Sequence, residues 1–127
     1  MISPESVRVL STFDSAVSPW GGGSTNSGNN FHLYDIGATH GAALRMREKL
    51  TALASSLLDA APSDLTLLDG GVFAVSDEPE RRVTLAELAK VAYGNTARVP
   101  EGMDPGLHQT YMYRFPHAQP CLLYTSP

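Results

Sequence analysis

Residues 65–75 read LTLLDGGVFAV, and this stretch decides the fold. Leu65, Thr66, Leu67 and Leu68 make one short apolar run, Val72, Phe73, Ala74 and Val75 make a second, and Asp69-Gly70-Gly71 stands between them. A hairpin turn needs backbone at positive φ, which glycine adopts without a Cβ clash. The stretch therefore predicts two short antiparallel strands around a tight turn.

The next signal lies just downstream. Thr84-Leu85-Ala86-Glu87 fits a capping box, in which the Thr84 hydroxyl accepts from the Glu87 amide and the Glu87 carboxylate accepts from the Thr84 amide. Val83 and Leu88 stand where a hydrophobic staple would close over that cap, and Gly94 is placed to end the helix. A helix over residues 85–93 follows. Upstream, Met46, Leu50, Leu53 and Leu57 share one face of a helix expected over residues 39–60, with Arg45, Glu48 and Lys49 off that stripe and Pro62 as its stop.

The outer segments read as strands. Residues 7–12, VRVLST, alternate apolar with polar side chains ahead of Asp14, after a turn at Ser3-Pro4-Glu5. After the Pro/Gly-rich link VPEGMDPG, residues 107–115 hold enough Tyr and Thr for a closing strand. The order is strand, loop, helix, hairpin, helix, strand. That is the α+β class, with a mixed α/β arrangement as the alternative, and neither a repeat nor an interior domain boundary is evident. A hairpin and two short strands make too thin a sheet to cover both helices, so the chain reads as part of a larger domain that folds with poor cooperativity by itself.

Composition narrows the function. The 127 residues are 43% hydrophobic and 17% charged, in the range of one soluble globular domain. A formal charge of −4 with scattered Arg and Lys offers no basic stripe for nucleic acid. No run approaches the roughly 18 apolar residues of a membrane span, and the first ten residues lack the basic-then-apolar order of a secretory leader. A cytoplasmic protein is expected, with a periplasmic parent as the alternative. The single cysteine, Cys121, has no zinc-ligand spacing around it, and His32, His40, His108 and His117 are dispersed, so no metal site of the chain's own is expected.

The chemistry falls on residues 14–30, DSAVSPWGGGSTNSGNN. Serine, threonine and asparagine side chains offer hydroxyls and amides here, and glycines let backbone N–H groups approach a polar ligand. Such turns cradle anionic oxygens, phosphate above all. The run is neither a Walker loop, lacking Gly-Lys-Ser/Thr, nor the dinucleotide fingerprint. A flexible linker shares the same composition.

The segment VRVLSTFDSAVSPWGGGSTNSGNNF resembles molybdenum hydroxylase large subunits of the xanthine dehydrogenase, aldehyde oxidase and carbon monoxide dehydrogenase family. There a strand ending near an Asp leads into a Pro-aromatic-Gly-Gly-Gly-Ser stretch, here Asp14 and residues 18–24. The order continues through Gly41-Ala42-Ala43, Arg47-Glu48-Lys49, LLDAAPSDLTLLDGGVFAV, VTLAELAKVAYG and PEGMDPGLHQTYMY, covering residues 3–116. The resemblance implies a molybdopterin-binding fold and a loop lining molybdopterin or its cytosine dinucleotide. Carried over by position, the cofactor contacts are Gly22, Gly23, Ser24, Asn26 and Ser27. Asn26-Ser27-Gly28 stands where relatives have Gly-Ser followed by Arg or Lys, so a basic contact is missing.

The resemblance also implies hydroxylation of an activated C–H carbon of a small-molecule substrate, with a glutamate as base and electrons leaving through iron–sulfur and FAD-binding partners. No catalytic residue is assigned to this chain. It lacks a Gly-Gly-Gly-Phe-Gly loop, a Gly-Gln-Gly motif and a Gly-x-Gly-Glu motif. Glu48 falls on a solvated helix face and Glu87 is a cap. Residues 1–120 are expected to be a partial molybdopterin-binding domain with an internal start, and residues 121–127, CLLYTSP, a non-native tail. Two alternatives remain at this level: a self-contained anion- or nucleotide-binding module, and a structural or interaction fragment.

Overall fold

The structure is a computed structural model and describes residues 2–9 and 36–114. The chain divides into two compact units, residues 1–9 with 45–108, and residues 10–44 with 109–127. Helix α1 (Ile36–Leu58) contributes to both.

The first unit is built on the hairpin. Strands β1 (Leu65–Leu68) and β2 (Val72–Val75) pair antiparallel around Asp69-Gly70-Gly71, and the turn is possible because Gly70 and Gly71 take φ of 77° and 75°. A Cβ on Gly71 would also fall 2.5 Å from the Leu85 side chain, and the Leu85 amide donates to the Gly71 carbonyl at 3.1 Å. The turn thereby fixes the start of α2 (Leu85–Gly94).

The sheet has a third strand that the sequence reading passed over. Strand β3 (Glu78–Thr84, EPERRVT) pairs antiparallel with β2, giving the order β1-β2-β3. Pro79 and four charged residues make this segment look like a loop. It tolerates them because it lies at the sheet edge, where proline loses no ladder bond and charge protects the unpaired side. Leu67, Phe73 and Val83 form one cross-strand row. With Leu53 and Ala54 of α1 and Leu88, Val91 and Ala92 of α2, that row closes the core.

Both helices carry the expected apolar faces, with ends that differ from expectation. The Thr84–Glu87 capping box is present, and the staple partners Val83 and Leu88 are both buried. Gly94 is the last helical residue and Asn95 the cap, so Gly94 does not act as the positive-φ stop. Helix α1 starts at Ile36, three residues before the expected 39, and ends at Leu58, two residues before the expected 60. Its stop is Asp59 in the left-handed region (φ 48°), with the Ala60 amide returning to the Ser55 carbonyl at 3.2 Å. That is the Schellman pattern on a non-glycine residue. Arg81 of β3 completes it, Nη2 donating to the carbonyls of Leu58 and Asp59.

The two outer strands are not found among the described residues. Val7 has extended backbone (φ −100°, ψ 122°), yet residues 7–9 pair with no strand, and Val7 and Val9 are 60% and 84% exposed. Residues 10–12 lie outside the description. Residues 107–114 alternate between half-buried and exposed as a strand would, without joining the sheet. Alternating residues record extended backbone; a strand also needs a neighbour, which one segment's sequence does not encode.

In the second unit, Tyr111 and Tyr113 lie against α1 at Gly41 and Gly37, where a Cβ would fall 2.3 Å and 2.5 Å from their rings. Two residues of extended chain advance about 6.6–6.8 Å and four of helix about 6.0 Å. The i, i+2 tyrosines therefore match the i, i+4 glycines in step.

Candidate functional site

The loop assigned to the cofactor, Gly22, Gly23, Ser24, Asn26 and Ser27, lies outside the described residues, as do Asp14 and Trp20. The description resumes at Ile36, the first residue of α1. What the structure does settle is which groups elsewhere are spoken for.

Among the described residues no polar or charged side chain is buried, and no three His, Cys, Asp or Glu gather as a metal-ligand set. A general acid or base is normally desolvated or coupled to a neighbouring charge so that its pKa suits the reaction. Glu48 is exposed on α1. Glu87 is also exposed, and its pKa lies below the ordinary glutamate value. The main cause is the Thr84 amide donating to Oε2 at 2.8 Å, then the Thr84 hydroxyl and the field of Lys90. A carboxylate held in its charged form as a helix cap is a poor proton carrier. No described helix is long and apolar enough to cross a membrane.

One feature of the first unit went unread in the sequence. A groove of about 410 Å³ opens where the end of α1, strand β3, α2 and the 3-10 turn Thr96–Arg98 meet. Arg82, Lys90 and Arg98 line it with Leu57, Val83 and Val91. These cations are spread over three elements, one of them the edge strand that the sequence reading passed over, so the sequence had no signal to bring them together.

The described residues form an α+β arrangement of two helices and a three-stranded antiparallel sheet. Residues 1–122 match the family of molybdopterin cofactor-binding domains, and the chain belongs to that family. It is 33% identical over 88 residues to the nicotine 6-hydroxylase large subunit of Paenarthrobacter nicotinovorans, an alignment covering 69% of this chain and 11% of that protein. The crystal structure of the Cu,Mo-CO dehydrogenase in its carbon monoxide reduced state is similar at TM-score 0.63 and 28% identity, covering 77% of this chain and 12% of the other. The reconstituted CO dehydrogenase from Oligotropha carboxidovorans is similar at TM-score 0.52 and 31% identity, over 59% and 9%. The chain thus spans about one-eighth or less of the length of each of these relatives.

Proposed function

We propose that this chain is a cofactor-lining part of a molybdenum hydroxylase large subunit, an oxidoreductase, and that it holds molybdopterin or its cytosine dinucleotide through Gly22, Gly23, Ser24, Asn26 and Ser27. The observation that carries the reading is the match to the cofactor-binding domain family over residues 1–122. The donor set of the loop supports it. Residues 21–30, GGGSTNSGNN, bring hydroxyls, amides and closely approachable backbone N–H groups without a single charged side chain. That is a neutral donor surface suited to the oxygens and ring nitrogens of a pterin and its phosphate.

When bound, the cofactor supplies the redox chemistry of molybdenum for hydroxylating a small-molecule substrate. This chain's share is to bind and orient it. The base that accepts the proton is assigned to residues outside this chain, because the sequence holds no Gly-x-Gly-Glu motif and every carboxylate among the described residues is exposed. Iron–sulfur and FAD-binding partners complete electron transfer, and the assembly works in the cytoplasm.

The experiment is deletion of residues 21–30 from the intact protein, with molybdenum and pterin measured in the purified product. Loss of both from a protein that keeps its circular dichroism supports the reading. Unchanged molybdenum and pterin would return the loop to the role of a linker.

A further inference from the structure

We propose that the groove between α1, β3 and α2 docks an acidic segment of polypeptide carrying apolar side chains between its carboxylates, supplied by the part of the larger protein that relatives carry outside the matched region. The inference is independent of the cofactor loop, because no groove residue lies in residues 14–30.

The charge balance of the groove is the first argument. The chain as a whole is acidic, with 13 Asp and Glu against 9 Lys and Arg, yet the groove gathers Arg82, Lys90 and Arg98 against one carboxylate, Glu87. That carboxylate is committed to the Thr84 cap. The guanidinium groups of Arg82 and Arg98 make no hydrogen bond or ion pair among the described residues, whereas that of Arg81 is tied to Glu78 at 3.0 Å and to the end of α1. The groove therefore presents an unsatisfied cationic excess on an acidic molecule.

The lining decides the kind of occupant. Leu57 and Leu58 are half-buried at the groove, with Val83 and Val91 closing its floor, so apolar surface lies beside the exposed cations. A small inorganic anion would engage the arginines and leave that surface wet. A wholly apolar segment would cover it and strip water from unpaired arginines, which is strongly unfavourable. A chain with carboxylates at its edges and aliphatic side chains between them meets both demands. Its source follows from length: this chain corresponds to 11% and 12% of two relatives, so most of the polypeptide able to reach the groove lies outside it.

The test uses the intact protein purified from cells that make it, treated with a zero-length carbodiimide. This reagent joins an amine to a carboxylate only where the two touch. Mass spectrometry of the digest should show Lys90 joined to an Asp or Glu of the polypeptide outside residues 1–122, with Leu, Ile, Val or Phe beside it in sequence. Combining Arg82→Glu with Arg98→Glu should lower that product by about fivefold or more while other cross-links and the circular dichroism stay unchanged, because charges at a docking rim govern encounter. Exposed side chains carry these substitutions, so the fold is expected to survive them. Lys90 joined only to carboxylates within residues 1–122, or left unlinked and open to an amine reagent, would overturn the proposal. So would a product indifferent to the charge reversal.

Discussion

Replacing Gly41 with alanine should destabilise α1, against the intrinsic preference of the two residues. Within a helix alanine is favoured over glycine by about 0.8–1.0 kcal/mol, so in open surroundings the exchange would help. At Gly41 the new Cβ would fall 2.3, 2.4 and 2.6 Å from three ring carbons of Tyr111. Optimal carbon–carbon separation is about 3.5–4.0 Å, so the ring must retreat by about an ångström or more. Overpacking of this kind costs roughly 1–3 kcal/mol, which exceeds the propensity gain and leaves a net loss of up to about 2 kcal/mol. Gly94 is the control. It also lies in a helix, nothing stands within 4 Å of its missing Cβ, and Gly94→Ala should be neutral or stabilising by up to about 1 kcal/mol. Native-state amide hydrogen exchange reads the local opening free energy of each helix. Exchange in α1 should quicken in Gly41→Ala and recover when Tyr111→Ala is added. Slower exchange in Gly41→Ala would refute the packing of Tyr111 on α1.

Three further outcomes follow from the first unit. Leu88 is fully buried, so Leu88→Ala should lower unfolding free energy in urea by about 3–5 kcal/mol; a change below about 1 kcal/mol would contradict the core. Glu87 has a depressed pKa in the folded chain, so its cap stabilises α2 above the ordinary glutamate value and is lost as pH falls through the depressed one. An acid titration of helical circular dichroism should show that loss, and Glu87→Gln should remove this part of the pH dependence. Asp59 holds the left-handed position at the end of α1, where glycine has no steric penalty, so Asp59→Gly should raise the urea midpoint by the equivalent of up to about 1 kcal/mol.

The parts legible in the sequence were those whose cause is local. The hairpin could be read because Gly70-Gly71 between two apolar runs permits little else, and α2 because Thr84, Glu87, Val83 and Leu88 satisfy cap and staple within six residues. Strand β3 could not, since Glu78, Pro79, Glu80 and Arg82 are allowed only by an edge position, which is a property of the assembled sheet. The same holds for the end of α1, where Pro62 looked decisive while Arg81, over twenty residues away, caps Leu58. Residues 107–114 have a strand's alternation and no neighbouring strand among the described residues. For the site, residue chemistry and order of motifs led to the cofactor family, whereas the cationic groove required three elements to fold together first.

The central claim is that residues 22–27 grip a molybdenum-bearing pterin in a larger enzyme. Its most direct test is the composition of the intact protein purified from its source, with molybdenum measured by elemental mass spectrometry and pterin by the fluorescence of its oxidised form. The account predicts both, in amounts comparable with the polypeptide. Protein that is folded and full length yet carries neither would contradict it.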